Sequence, residues 1–179
     1  MQSFDALSVS FNSFFNKEHF PDQPQTLYDP NRYFLQVGGK RVRPVACLMG
    51  NELFDTLLDD SWQVAAAIEL FHNFTLIHDD IMDNAPLRRN RATLHEKYGS
   101  STALLAGDVM LVKAYDYLNK ISGNYLRRII TLFNKTATEV CEGQQLDMDF
   151  EKKEDVPFDQ YLHMINLKTS ALLAGSLHM

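Results

Sequence analysis

Cysteine is nearly absent. The 179 residues contain only Cys47 and Cys141, far apart in the chain. That excludes a disulfide framework and a CxxC metal motif, and leaves two core thiols in a reducing, cytoplasmic compartment as the expectation. Eight glycines and six prolines are too few for collagen, a flexible linker protein or a low-complexity chain. No apolar run approaches the ~20 residues of a bilayer-spanning helix. The first residues, MQSFDALSVSFNSFF, carry Asp5 and no basic region, so they do not read as a signal peptide. Nor is there a cationic excess. Seventeen Lys and Arg against 23 Asp and Glu give a net charge of −6, which argues against a general nucleic-acid partner. What remains is an ordinary globular composition of a length that suits one domain over residues 1–179.

The dominant periodicity is helical. Between Trp62 and Met82, apolar residues recur at three-to-four spacing through Val64, Ala67, Ile68, Phe71, Phe74, Ile77 and Ile81, which predicts a long helix. Asp60 or Ser61 is placed to cap its start. Further helices are predicted over Ala103–Asn119, over Tyr125–Met148, and from Pro157 through Leu173. Shorter ones fit Phe4–Asn16, Pro30–Val37, Arg43–Phe54 and Ala92–Tyr98. His19–Gln25, Gly38-Gly39 and Asn84–Asn90 read as breaks. No two β-branched runs flank a turn, so no strands are expected. The predicted architecture is a single all-α bundle. It ends in an apolar pattern, TSALLAGSLHM, whose face calls for covering by further chain or by another subunit.

Charge is concentrated where helices break. Lys40, Arg41, Arg43, Arg88, Arg89 and Arg91 put six of the 17 basic residues into two short windows, where chance would place about one. Such windows let Arg forks and backbone N–H groups converge on phosphate oxygens. A solvated surface turn accounts for one such window, but poorly for two beside an acid cluster. That cluster is His78-Asp79-Asp80-Ile81-Met82-Asp83. Asp79 and Asp83 share a helix face at (i, i+4), and three carboxylates at a helix C-terminus oppose the macrodipole. A divalent cation would compensate them, and all-oxygen ligands suit Mg²⁺, which leaves coordination sites for a substrate phosphate. With an apolar helix behind the acids, the pattern describes a pocket for a diphosphate bearing a hydrocarbon tail. Other metal sites fit badly. Glu69 and His72 form one ExxH without a second. An EF-hand reading of Asp147–Phe158 puts Lys152 where Gly is needed.

These residues also carry a resemblance. GGKRVRP (Gly38–Pro44), LFHNFTLIHDDIMDNAPLRRNRAT (Leu70–Thr93), AGDVM (Ala106–Met110), EGQQLDM (Glu142–Met148) and LKTS (Leu167–Ser170) resemble, in order, the motifs of the trans-isoprenyl diphosphate synthases, or polyprenyl synthetases. The resemblance implies an all-α isoprenoid synthase fold, a homodimer, and head-to-tail condensation of isopentenyl diphosphate with an allylic diphosphate. By resemblance, Asp79 and Asp83 hold Mg²⁺, and Asp80 completes the motif. Arg88 contacts the allylic diphosphate, while Lys40, Arg43, His72 and Arg89 hold the isopentenyl diphosphate. Lys168 and Thr169 flank the allylic diphosphate and the forming cation, and Gln144 and Asp147 lie near the metal. Asn90 departs from the glycine that usually follows the paired arginines. Phe74 and Thr75 lie about 6–7.5 Å down the helix from Asp79. By resemblance, bulk there limits the growing chain, and bulky Phe74 with small Thr75 suggests a product of farnesyl or geranylgeranyl scale, although plain core packing accounts for Phe74 equally well. A second aspartate-rich motif, present in the family, does not follow Thr169. The chain is therefore expected to be the front portion of a longer enzyme, feeble by itself. A class I terpene cyclase and a non-catalytic partner subunit are the alternatives.

Overall fold

The computed structural model describes all 179 residues. Nine α-helices follow one another: α1 (Phe4–Phe15), α2 (Gln25–Leu35), α3 (Val42–Glu52), α4 (Asp59–Met82), α5 (Leu94–Tyr98), α6 (Ser100–Leu118), α7 (Gly123–Phe150), α8 (Phe158–Ile165) and α9 (Ala171–His178). A π-helical turn, Asn166–Ser170, joins α8 to α9. None of these helices is long and apolar enough to cross a membrane.

The centre is α4. Eight consecutive residues, Val64–Phe71, are buried, so this stretch is enclosed on every side. Ala65, Ala66 and Ala67 are small, as are Ala103, Ala106, Gly107 and Ala114 on α6, and the two helices pack along each other more extensively than any other pair. Phe71 is 1% exposed and meets Phe133 of α7 edge-on at 5.2 Å. Burial of a side chain of this size contributes roughly 1.5–3 kcal/mol. Helix α3 lies on α4 and α9, and α7 packs on the π turn.

Several elements differ from the sequence reading. Helix α2 starts at Gln25, directly after Pro24, and carries Pro30 inside it. The Arg32–Asp29 pair at 3.0 Å spans the proline, and Arg32 Nη2 donates to the carbonyls of Phe20 and Pro21 at 3.1 and 2.9 Å. Asp60 does not cap α4. Both its carboxylate oxygens accept from the Ser122 N–H at 3.1 Å, at the start of α7. The loop after α4 contains a minimal antiparallel hairpin, β1 (Leu87–Arg88) with β2 (Arg91–Ala92). Its two turn residues, Arg89 and Asn90, have φ of 50° and 63°, as a two-residue type I′ turn requires. Asparagine tolerates this left-handed conformation, so glycine is not needed at Asn90. Of the two thiols, Cys47 is in the core, where burial pushes its pKa up to about 12. Cys141 is exposed.

Candidate active site

The two basic windows meet. Gly38, at φ +73°, turns the chain out of α2. At Gly39 a Cβ would stand 3.0 Å from Nη1 of Arg89, so the missing side chain lets the hairpin arginine lie on the Gly38-Gly39 loop. Within the first window the cations then diverge. Lys40 stays exposed. Arg41 turns inward to pair with Glu69 of α4, with only 8% and 5% of the two side chains exposed. Nε of Arg41 donates to Asn12 Oδ1 at 3.0 Å, and Asn73 Nδ2 donates to Glu69 Oε1 at 3.1 Å. This buried pair is well supplied with partners, as a desolvated ion pair must be. Arg43, in the first turn of α3, donates from Nη1 to His72 Nε2 at 3.2 Å. His72 accepts there only when neutral. Burial, followed by the fields of Arg43, Arg89, Arg88 and Arg41, pushes its pKa down to about 3. Four guanidinium groups therefore act on one imidazole. Nε of Arg43 is buried with no partner.

The acid trio also divides. Asp80 is 2% exposed and holds Arg88 with both oxygens, from Nε at 3.0 and 2.9 Å and from Nη2 to Oδ1 at 2.9 Å. It does not line the cavity described below. Its carboxylate orients Arg88, and its backbone carbonyl accepts the Ala85 N–H at 3.0 Å. Asp79 is partly buried. Burial raises its carboxyl pKa, with Asp83 and Asp80 adding to the rise and Lys168 and Arg88 opposing it. Asp83 is exposed and caps α4, whose last turn contains no basic residue.

Beneath Asp79 lies a cavity of about 280 Å³. One wall is the α4 face with His72, Phe74, Thr75, His78, Asp79 and Met82; Arg43 closes one side. The opposite wall is α7 with Val140, Cys141, Gln144, Gln145 and Met148, continued by Lys168 and Thr169 of the π turn and Leu172 of α9. Lys168 Nζ donates to Asp147 Oδ2. Burial alone would lower its ammonium pKa, but the Asp147 bond and the nearby Asp79 and Asp83 charges outweigh burial and raise it. Gln144 Nε2 reaches Met82 Sδ at 3.7 Å, and its Oε1 is buried without a partner. The Thr75 hydroxyl donates to the His72 carbonyl at 2.8 Å. Phe74 packs between Phe71 and His78, at 5.6 and 4.6 Å between ring centroids, so it serves the core and the cavity wall at once. Lys40, Asp83, Arg88 and Arg89 are not on this wall. A larger cavity of about 640 Å³, between α1 and α2, lies away from the acids; its two arginines are paired to Glu18, Asp29 and Glu69.

The sequence reading missed His78, Cys141, Gln145 and Met148 as lining residues. On α7 the signal was present, since 141, 144, 145 and 148 fall at helical spacing on one face. It also missed Glu69 as the partner of Arg41, although an acid inside an apolar helical run calls for a cation.

The profile of the polyprenyl synthetase family matches residues 24–179. The chain belongs to the polyprenyl synthetase family. It is 43% identical, over 86% of its length and 48% of the relative's, to the geranylgeranyl diphosphate synthase of Methanosarcina mazei. It is 40% identical to the geranylfarnesyl diphosphate synthase of Natronomonas pharaonis, over 89% of this chain and 52% of that one. A crystal structure of a geranylgeranyl pyrophosphate synthase superposes with a TM-score of 0.94 at 43% identity, covering 99% of this chain and 54% of the other. This polyprenyl synthetase chain thus spans about half the length of the curated relatives it matches.

In this polyprenyl synthetase fold, no three His, Cys, Asp or Glu side chains stand close enough to hold a metal unaided. Asp79 and Asp83 offer two carboxylates one turn apart, while Asp80 is committed to Arg88. A two-carboxylate site fits Mg²⁺, which keeps waters and takes further oxygens from a phosphate, and fits poorly a cation that needs a full protein cage.

Proposed function

We propose that the protein is a prenyltransferase that condenses isopentenyl diphosphate with an allylic diphosphate, head to tail, giving a short-chain polyprenyl diphosphate. One observation carries this reading. Arg43 with neutral His72, and Asp79 at the carboxylate end of α4, line one largely apolar cavity, with Lys168 on its far side. Two anionic groups and a hydrocarbon chain are what such a site accommodates.

Each role follows from the chemistry of the side chain. Asp79 and Asp83 would hold Mg²⁺, which when bound neutralises charge on the departing diphosphate. Arg88, oriented by Asp80, would bind the same allylic diphosphate bidentately. Lys40, Arg43 and Arg89 would hold the isopentenyl diphosphate. His72, accepting from Arg43 at Nε2, keeps Nδ1–H as a donor. Lys168 would flank the leaving group, and the Gln144 carbonyl oxygen and Thr169 would direct dipoles at the allylic cation. The apolar walls exclude water that would trap that cation. The proton lost from the isopentenyl unit passes to the released diphosphate. A class I cyclase has no use for the Arg43–His72 arrangement. Bulky Phe74 beneath the acids supports a short chain, and the products named for the relatives, geranylgeranyl and geranylfarnesyl diphosphate, support one of about geranylgeranyl scale. Leu104, Leu105 and Val112, between 49% and 59% exposed along α6, support a homodimer through that face.

The test is calorimetric titration of the chain with geranyl diphosphate and with isopentenyl diphosphate, with and without Mg²⁺. Binding of the allylic diphosphate should require Mg²⁺ and disappear in Asp79→Asn. Binding of isopentenyl diphosphate should weaken at least about tenfold in Arg43→Ala. Absence of Mg²⁺-dependent binding in the unaltered chain would overturn the reading.

A further inference from the structure

Lys168 and Thr169 sit on the one π-helical turn of the bundle. In the turn Asn166–Ser170 the chain widens to π geometry, and the Ala171 N–H reaches back five residues to the Asn166 carbonyl. No residue of this turn is buried, so no side chain anchors it in the core. Single π turns are uncommon and collect at functional sites.

Its seat is on α7. A Cβ at Gly143 would stand 2.2 Å from the backbone N of Lys168, 2.6 Å from its Cα and 2.7 Å from the carbonyl carbon of Leu167. The atoms met are backbone, with no flexible side-chain end to give way. Contact this close is possible only because residue 143 has no side chain. One residue along, Gln144 lines the cavity, and one turn along, Asp147 accepts the Lys168 ammonium. The same helix thus supplies the seat and the tether.

We propose that Gly143 is a positioning residue for Lys168: by letting the π turn rest directly on α7, it brings the ammonium into reach of Asp147 and onto the cavity wall facing Asp79. Gly143 touches no substrate and acts entirely through Lys168. The structural half of this inference stands on the contacts alone; its consequence for ligand binding rests on the diphosphate reading above.

Two measurements test it. In the chain labelled with ¹⁵N-lysine, Lys168 should give a slowly exchanging ammonium signal, identified by its loss in Lys168→Arg. That signal should vanish in Gly143→Ala and survive in Gly175→Ala. The second variant is a matched control, because a Cβ at Gly175 would crowd Thr136 Oγ1 at 2.7 Å, between α9 and α7, without touching the turn. A signal that persists in Gly143→Ala, or disappears equally in both variants, overturns the proposal. Should Gly143→Ala not fold, a nuclear Overhauser contact between Gly143 Hα and the Lys168 amide in the unaltered chain decides it, and absence of that contact is fatal.

The second measurement is calorimetry with inorganic pyrophosphate and Mg²⁺. Gly143→Ala and Lys168→Ala should each weaken binding about tenfold, and the double variant should be no weaker than Lys168→Ala. Additive losses would show that Gly143 does not act through Lys168. If the unaltered chain does not bind pyrophosphate, the diphosphate reading fails, and the ammonium signal still judges the positioning role by itself.

Discussion

The two walls of the cavity are built on opposite principles. The α4 wall is an unbroken 24-residue helix, buried on all sides at its middle and fastened to α3, α5 and α6. It carries the carboxylates. The facing wall is the end of α7 with the π turn, held by backbone contact at Gly143 and by a partly buried Lys168–Asp147 pair. It carries the paired Lys168 ammonium and Asp147 carboxylate, with neutral dipoles beside them. A carboxylate-bearing platform fixed by the core therefore faces a wall tied together by its own ion pair. Like charges repel and must be fixed by the surrounding core, whereas the Lys168–Asp147 attraction helps to hold its own wall together.

Substitutions can break this contrast, and the largest effect is expected inside α4. Glu69→Ala would leave Arg41 buried without its carboxylate, and should cost about 3–5 kcal/mol in denaturant unfolding. Breaking the Lys168–Asp147 pair of the facing wall, 24% and 32% exposed, with Lys168→Ala should cost less. Gly107→Ala comes next. A Cβ there would lie 2.3 Å from His78 Nε2, and overpacking of this kind costs about 1–3 kcal/mol, read as a fall in Tm. His72 sharpens the comparison through pH. Its folded pKa, near 3, lies below its ordinary value of 6.5, so the unfolded chain binds the extra proton. Its contribution is complete above about pH 6.5 and is lost as pH falls toward 3. A stability–pH profile should decline over that window, and His72→Gln should flatten it by on the order of a few kcal/mol. The smallest effect is at the hairpin. Asn90 already adopts a left-handed φ of 63°, so Asn90→Gly should change stability by no more than about 0.5 kcal/mol in thermal unfolding.

Much of the site was legible before the fold. The breaks at Gly38-Gly39 and Asn84–Asn90 marked the two cation loops, and the (i, i+4) spacing put Asp79 and Asp83 on one face of α4. The division of labour within each cluster was not legible. Arg41 and Arg43 are two residues apart, yet one braces Glu69 and the other reaches His72. Asp80 sits between residues of the same charge but turns to Arg88. Neighbours on a helix or loop point in different directions, and their partners come from elements far away in sequence.

The single apolar run from Pro157 to Leu173 reads as one helix, because hydrophobic spacing alone does not register the extra residue of a π turn. Only contact with Gly143 reveals where that turn seats. By itself the sequence determined the helices, the clusters of charge and the family, since local periodicity and motif chemistry are carried along the chain. The tertiary structure decided which charge meets which, because ion pairs and backbone seats form between segments brought together by burial.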